Sequence, residues 1–197
     1  LAMNGSATVV RSGCMAKDAD MILSEFILLG IGGKELSEEN AAQTAKALNI
    51  IQPDFIRVHA TGIKLESKLG EFVRDGSFTL QSEEEIVIEQ KLFLQQLHEM
   101  DSYYVNEHIV NLLLEVRGNL RTEKQEMLST IDRFLTLPPD ERLLFTVGRR
   151  LNIFFRLDDL KKPKLHQKAG ESLQQILSKN PHVDFAALCN YVRQSQI

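Results

Sequence analysis

An α/β, helix-rich fold is predicted by three features of the 197-residue sequence. Two short apolar runs, residues 21–29 and 55–60, flank a stretch of helical spacing. A glycine-rich turn, Gly30-Ile31-Gly32-Gly33, follows the first run. From Ser82 onward, helix-start signals and helical periodicity recur almost to the C-terminus. The change of period near residue 80 predicts a strand–helix–strand region over residues 1–80 and a helical region over residues 81–197.

Residues 6–19 read as a helix despite Gly13. Residues 21–29 are apolar apart from Ser24 and Glu25, as suits a short parallel strand buried on both faces. Ser37 is placed to cap the next helix, with Glu38 and Glu39 where the helix dipole favours acids. Ala41, Ala45 and Leu48 form its apolar stripe, and Pro53-Asp54 stop it. In the run 55–60, Phe55, Arg57 and His59 fall on one face, and Ile56, Val58 and Ala60 on the other. The result is a βαβ unit with a right-handed crossover.

Ser82-Glu83-Glu84-Glu85 reads as a capping box before a helix to about Glu99. Asp101 or Ser102 is placed to cap another. Its Val105, Ile109, Leu112, Leu113 and Val116 give the cleanest amphipathic stripe in the chain, and Gly118 is placed to end it. Thr122 to Gln125 reads as a further capping box. Pro138-Pro139-Asp140 breaks that helix and starts another, and two more follow Pro163.

Composition narrows the function. Hydrophobic residues at 43% and charged residues at 25% suit a folded globular chain rather than a disordered one. With 23 basic and 27 acidic side chains the net charge is -4, which argues against a dedicated nucleic-acid binder. No apolar run approaches the roughly 18 residues of a membrane span, and no basic stretch leads into an apolar one as in a signal peptide. Cys14 and Cys189 make neither a disulfide framework nor a CxxC metal site, so a reducing, cytoplasmic setting is expected. The chain opens on Leu1 rather than Met, and a piece of something longer is expected.

Several residues could carry chemistry. The glycine loop lies where open α/β sheets and barrels bind ligands, at the carboxyl end of a strand. It has neither the Walker A nor the GxGxxG spacing, so a ligand cradle and a plain tight turn both fit. Arg57 and His59 face either a barrel interior or solvent. Glu25, within an apolar run, needs a partner or a cavity. His98 and His108 are predicted on helices without a second metal ligand at helical spacing. Arg149-Arg150 and Lys161-Lys162 read as a solvated basic cluster, or else as an anion or partner contact. Ser12, Ser24 and the cysteines lack an accompanying nucleophile motif.

Three segments of the first 80 residues resemble the carboxyl-terminal part of a radical S-adenosylmethionine (SAM) enzyme core. Leu1-Ala2-Met3-Asn4 with Thr8 is similar to the stretch after the fourth barrel strand. The stretch from Phe26 through Gly30-Ile31-Gly32-Gly33 to Glu35 is similar to the fifth-strand glycine motif. Pro53 to His59 and the following loop, 61–69, resemble the sixth strand and its loop. The helical region resembles the tail of an uncharacterised bacterial branch of these enzymes. There the likeness lies in the Ser82 helix, the segment from Val105 to His108-Ile109, and the turn Leu137-Pro138-Pro139-Asp140-Glu141-Arg142. Order and spacing carry the likeness over roughly residues 1–160.

The resemblance implies the last two strands of a six-strand partial (β/α) barrel of the TIM type, followed by a helical bundle. It implies oxidoreductase chemistry on an unknown substrate. In this family a [4Fe-4S] cluster on a CxxxCxxC loop binds and cleaves S-adenosylmethionine to a 5′-deoxyadenosyl radical. On this mapping Ile27, Gly30, Ile31, Gly32 and Gly33 line the adenine side, and the backbone of Val58, His59 and Ala60 touches the nucleoside. This chain departs from the pattern twice. It has no CxxxCxxC loop, and Asn4 is followed by Gly5 and Ser6 where relatives carry a basic residue. The chain alone is therefore expected to hold no cofactor and to be inactive. Its partner is expected to be a missing N-terminal half, or a second copy joined through strand edges, with neither nucleic acid nor membrane involved. The alternatives are a non-enzymatic helical binding or scaffold protein, and a nucleotide-binding α/β domain without radical chemistry.

Overall fold

The computed structural model describes residues 2–196, and side chains from residue 7. Leu1 lies outside the described residues, as do the side chains of the Ala2-Met3-Asn4 segment and of Gly5-Ser6. The chain runs α1 (Ala2–Asp18), β1 (Ser24–Leu29), α2 (Ser37–Ile51), β2 (Phe55–Ala60), α3 (Lys68–Asp75), α4 (Glu83–Gln96), β3 (Tyr103–Val105) and β4 (Gly118–Asn119). Then follow α5 (Lys124–Leu135), α6 (Pro139–Arg150), a 3-10 turn (Leu157–Lys161), α7 (Pro163–Lys179) and α8 (Phe185–Gln194). The fold is α/β and helix-rich, with a four-stranded open sheet rather than a closed barrel.

The sheet order is β1-β2-β3-β4. β1 pairs with β2 in parallel, Ile27 opposite Val58, and β2 pairs with β3 in parallel, Arg57 opposite Val105. β4 closes the sheet antiparallel to β3. Asp54 fastens the start of the β1–β2 ladder. Its carboxylate accepts from the Leu23 amide (2.8 Å) and Lys17 Nζ (2.7 Å), and these bonds, the backbone one first, hold its pKa below the usual carboxylate value. The core runs continuously from Ile27 to Ala169, across the link that joins α3 to α4 near residue 80.

The sheet has unequal faces. Ile27, Leu29, Ile56, Val58 and Ala60 are buried on the side where α4 packs on β1 and α2 packs on both. Each large apolar side chain on this side stabilises the fold by roughly 1.5–3 kcal/mol. The other side is uncovered. Phe26 is 63% exposed and Leu28 46%, against 0% for Ile56 and Val58. The first strand is therefore buried on one face, not on both as its apolar run suggested. Glu25 also differs from expectation. It sits half-buried at the rim, without a hydrogen bond or ion pair among the described residues, and burial raises its pKa.

The segment predicted as a helix from Val105 to Val116 is instead a short strand and an irregular connection. Val105 belongs to β3, His108 to the connection, and Gly118 opens β4 rather than ending a helix. The apolar positions are buried all the same. Leu112, Leu113 and Val116 are core residues, and so is Val110, which the helical stripe left out. His98 likewise lies beyond the end of α4. The Ser82–Glu85 capping box is present, both of its bonds formed. Two predicted caps are not made. α2 starts without a side-chain cap, Ser37 being spent on Glu89, and α5 starts without one from Thr122.

Candidate functional site

The uncovered face and the carboxyl ends of β1 and β2 make the candidate site. Alternation puts Phe26 and Leu28 of β1, Phe55, Arg57 and His59 of β2, and Tyr103 and Val105 of β3 on that face. A cleft of about 280 Å³ opens there, lined by Phe26, Arg57, His59, Val105, Glu107 and His108. Arg57 is fixed from several sides. Its Nε donates to Ser24 Oγ at 3.0 Å, and its guanidinium lies 5.9 Å from the ring centroids of both Phe26 and Phe55. His59 meets Phe26 edge-on at 5.5 Å and stacks on His108 at 4.2 Å. Burial first, then the nearness of His108 and Arg57, lowers the His59 pKa and favours neutral imidazole. Glu107 is ion-paired with Arg117.

The glycine loop is closed by the chain's own residues. Gly30 and Gly33 have positive φ of 83° and 64°, a region that only glycine enters without strain. A Cβ on Gly33 would come within 3.0 Å of the Thr79 carbonyl, and one on Gly30 within 3.2 Å of Gln81 Oε1. Beneath the loop Glu89, fully buried, accepts from the Gly30 amide (3.1 Å), Ser37 Oγ (2.8 Å) and Asn40 Nδ2 (2.7 Å). That carboxylate joins β1, α2 and α4 through neutral donors. Ile31 and Gly32 remain accessible, while Gly30 and Gly33 are buried.

Asn111 continues the ladder where β3 ends. Its side-chain amide accepts from the Ala60 amide at 2.7 Å and donates to the Val58 carbonyl at 2.6 Å, so it stands in for a strand. A further bond runs from its Nδ2 to Asn106 Oδ1, and Asn106 in turn donates to the Leu113 carbonyl. Of the backbone groups that the resemblance gave to the nucleoside, these two are therefore occupied by Asn111. Ile27, Val58 and Ala60 have their side chains buried on the helix-covered side, and the His59 ring faces the cleft. Local periodicity places His108 on a helix and does not join it to His59. No local signal in the sequence marks Asn111 or Glu89 for these roles.

Arg149 and Arg150 are buried, not part of a solvated cluster. Arg150 grips Glu83 in a two-point bond of 3.0 and 2.6 Å, and Arg193 of α8 pairs with the same carboxylate. Arg149 donates to the carbonyls of Ile109, Asn111 and Leu112. Burial, and then Arg150, lower its pKa to about 10. Cys189, beside this group, has its thiol pushed up to about 12, mainly by burial. These charges hold α4, α6 and α8 to the connection after β3.

A larger depression of about 520 Å³ lies beside β3 and carries many charges, most of them engaged in structure. Arg133 pairs with Asp158, Glu123 accepts from the Asn119 amide, and Glu115 accepts from the Leu157 amide.

A [4Fe-4S] cluster does not fit the residues present. It needs three thiolates, and the chain has two cysteines, Cys14 on α1 and Cys189 buried on α8. Among the described residues no three His, Cys, Asp or Glu side chains group so as to hold a metal ion, and no helix is long and apolar enough to cross a membrane. Comparison with protein families, curated proteins and solved structures finds no match to this chain.

Proposed function

We propose that this chain supplies the nucleoside-facing wall of a radical SAM-type oxidoreductase of unknown substrate, with β1 and β2 as the closing strands of a partial (β/α) barrel. One observation carries the reading. Parallel sheets are normally covered on both faces, and this one leaves a face bearing Phe26, Leu28, Arg57 and His59 open. In a (β/α) barrel that face is the interior, and the helix-covered face is the outside. The cluster's thiolates would lie on a preceding half of the same enzyme, docked against the open face and the free edge of β1. A second copy could cover that face and edge, but it carries the same two cysteines and could not hold the cluster. S-adenosylmethionine, bound beside that half's cluster and reduced by one electron from it, would supply the 5′-deoxyadenosyl radical, with methionine as the leaving product. This chain's residues offer Phe26, Leu28 and Ile31 as apolar contact for the adenosine and keep water from that side. Alone, the chain is inactive.

Isothermal titration tests the reading. Without the cluster the chain is not expected to hold the cofactor firmly, but its wall is expected to keep a weak contact. S-adenosylmethionine, at high concentration, is expected to bind weakly yet more tightly than ATP, and Phe26→Ser, at an exposed position, to weaken that contact without unfolding the chain. Equal binding of ATP contradicts the reading in favour of a nucleotide-binding domain without radical chemistry. Binding of neither favours a helical scaffold protein. A specific observation supports that last alternative: Gln81, Thr79 and Glu89 fill the space around the glycine loop, as in a plain turn.

A further inference from the structure

Arg57 has more hydrogen-bonding capacity than the chain uses. Its Nε is spent on Ser24, and its two terminal nitrogens make no hydrogen bond or ion pair among the described residues. The guanidinium lies 5.9 Å from the ring centroids of both Phe26 and Phe55, and these contacts with the Ser24 bond orient it before any ligand arrives. One residue pair along the same strand, His59 presents its ring to the same cleft, stacked on His108. The carboxylate lining the same cleft, Glu107, is already engaged by Arg117. The cleft therefore carries a guanidinium with two unused terminal nitrogens and two imidazoles, and the carboxylate that lines it is paired elsewhere.

We propose that Arg57, with His59 and His108, forms a subsite for the oxyanion group, carboxylate or phosphate, of a small-molecule ligand lying on the open face. The planar fork suits two-point binding of either group. The cleft of about 280 Å³ admits a compact ligand group rather than a polymer. The surrounding rings of Phe26 and the histidines give the ligand's carbon skeleton apolar contact. The subsite assigns a substrate class to the proposed enzyme and rests on that reading only in taking the open face as the working surface.

Charge makes the subsite readable. The groups facing His59 are Arg57 on its own strand, His108 and Glu107 from the connection, and Arg117 through its pair with Glu107. The nearest β1 neighbour, Phe26, is uncharged. An anion on Arg57 offsets the cations that disfavour imidazolium, so it raises the His59 pKa.

The experiment is NMR of the intact chain, following the Arg57 Nε–H and the His59 and His108 ring signals. Inorganic phosphate and benzoate are titrated separately, and S-adenosylmethionine is the third arm. At least one free anion is expected to give a saturable shift of Arg57 Nε–H together with a rise in the His59 pKa. The arm that responds tells phosphate from carboxylate. Arg57→Gln is expected to weaken that binding about tenfold or more, as loss of a charge-assisted bond implies. It is also expected to raise the His59 pKa of the free protein, because a like charge has gone. Arg57→Lys keeps the charge but not the fork, and is expected to fall between the two. Shifts that do not saturate, or that persist unchanged in Arg57→Gln and Arg57→Lys, overturn the proposal. So does a response to S-adenosylmethionine with none to either anion, which assigns Arg57 to the cofactor. Anion binding is read without cluster or nucleoside, so its failure leaves the S-adenosylmethionine titration to stand or fall separately.

Discussion

At Glu83, two guanidiniums meet one carboxylate with almost no exposure to water. Burial alone would raise the Glu83 pKa, but Arg150 and Arg193 outweigh it and the pKa falls below the ordinary glutamate value. A carboxyl whose folded pKa is depressed stabilises the fold above its unfolded pKa, about 4.3. That contribution is lost as pH falls through the folded value. Glu83→Gln leaves two buried cations without an anion and is expected to cost about 3–5 kcal/mol in urea unfolding at neutral pH. The acid-side fall in stability should shrink in the same variant. Unchanged stability at neutral pH would show that the three side chains are not buried together. Asn111 makes a second local test. Asn111→Ala strips partners from the Val58 carbonyl and the Ala60 amide, and a cost of about 1–3 kcal/mol for each buried group left unpaired is expected. Hydrogen exchange at the Ala60 amide should accelerate at the same time. Neither role was legible in the sequence. Arg149-Arg150 looks like a surface pair until α8 and the start of α4 are brought to it, and nothing local tells a ladder-mimicking asparagine from one in a turn.

Elements with strong local signals form where the sequence placed them. The run 55–60, the Ser82–Glu85 box and the Pro138-Pro139 break all set boundaries through backbone chemistry that needs no tertiary partner. The connection from β3 to β4 shows the opposite case. Val105, Ile109, Leu112, Leu113 and Val116 fit helical spacing because an irregular buried segment also needs apolar side chains, and a handful of positions can match a period of 3.6 by chance. Tyr103-Tyr104-Val105 carries the β-favouring signal, and Asn106 and Asn111 occupy positions poor for a helix interior but good for bonding backbone. Val110 separates the two readings. On a helix it falls off the apolar stripe, whereas here it is 1% exposed. Val110→Ala is expected to lower stability by about 1–3 kcal/mol in thermal unfolding, the range for a buried truncation. A change within about 0.5 kcal/mol, typical of surface positions, would favour the helix.

For the whole molecule, the governing feature is the imbalance between the two faces of one sheet. The alternation of Phe55, Arg57 and His59 against Ile56, Val58 and Ala60 was legible at once. Which face the helices cover was not, because β1 is apolar on both sides and so fits either arrangement. The candidate site was legible in the same measure. Arg57 and His59 stand where alternation put them, while His108 arrives through a connection whose conformation local periodicity misreads. The most direct measurement is a residue-resolved NMR map of the chain titrated with S-adenosylmethionine. The account predicts perturbations concentrated on Phe26, Leu28, Ile31 and His59 of the open face, with Ile56 and the other helix-covered positions unmoved. Perturbations confined to other surfaces, or none even at ligand concentrations high enough to reveal a weak contact, would contradict it.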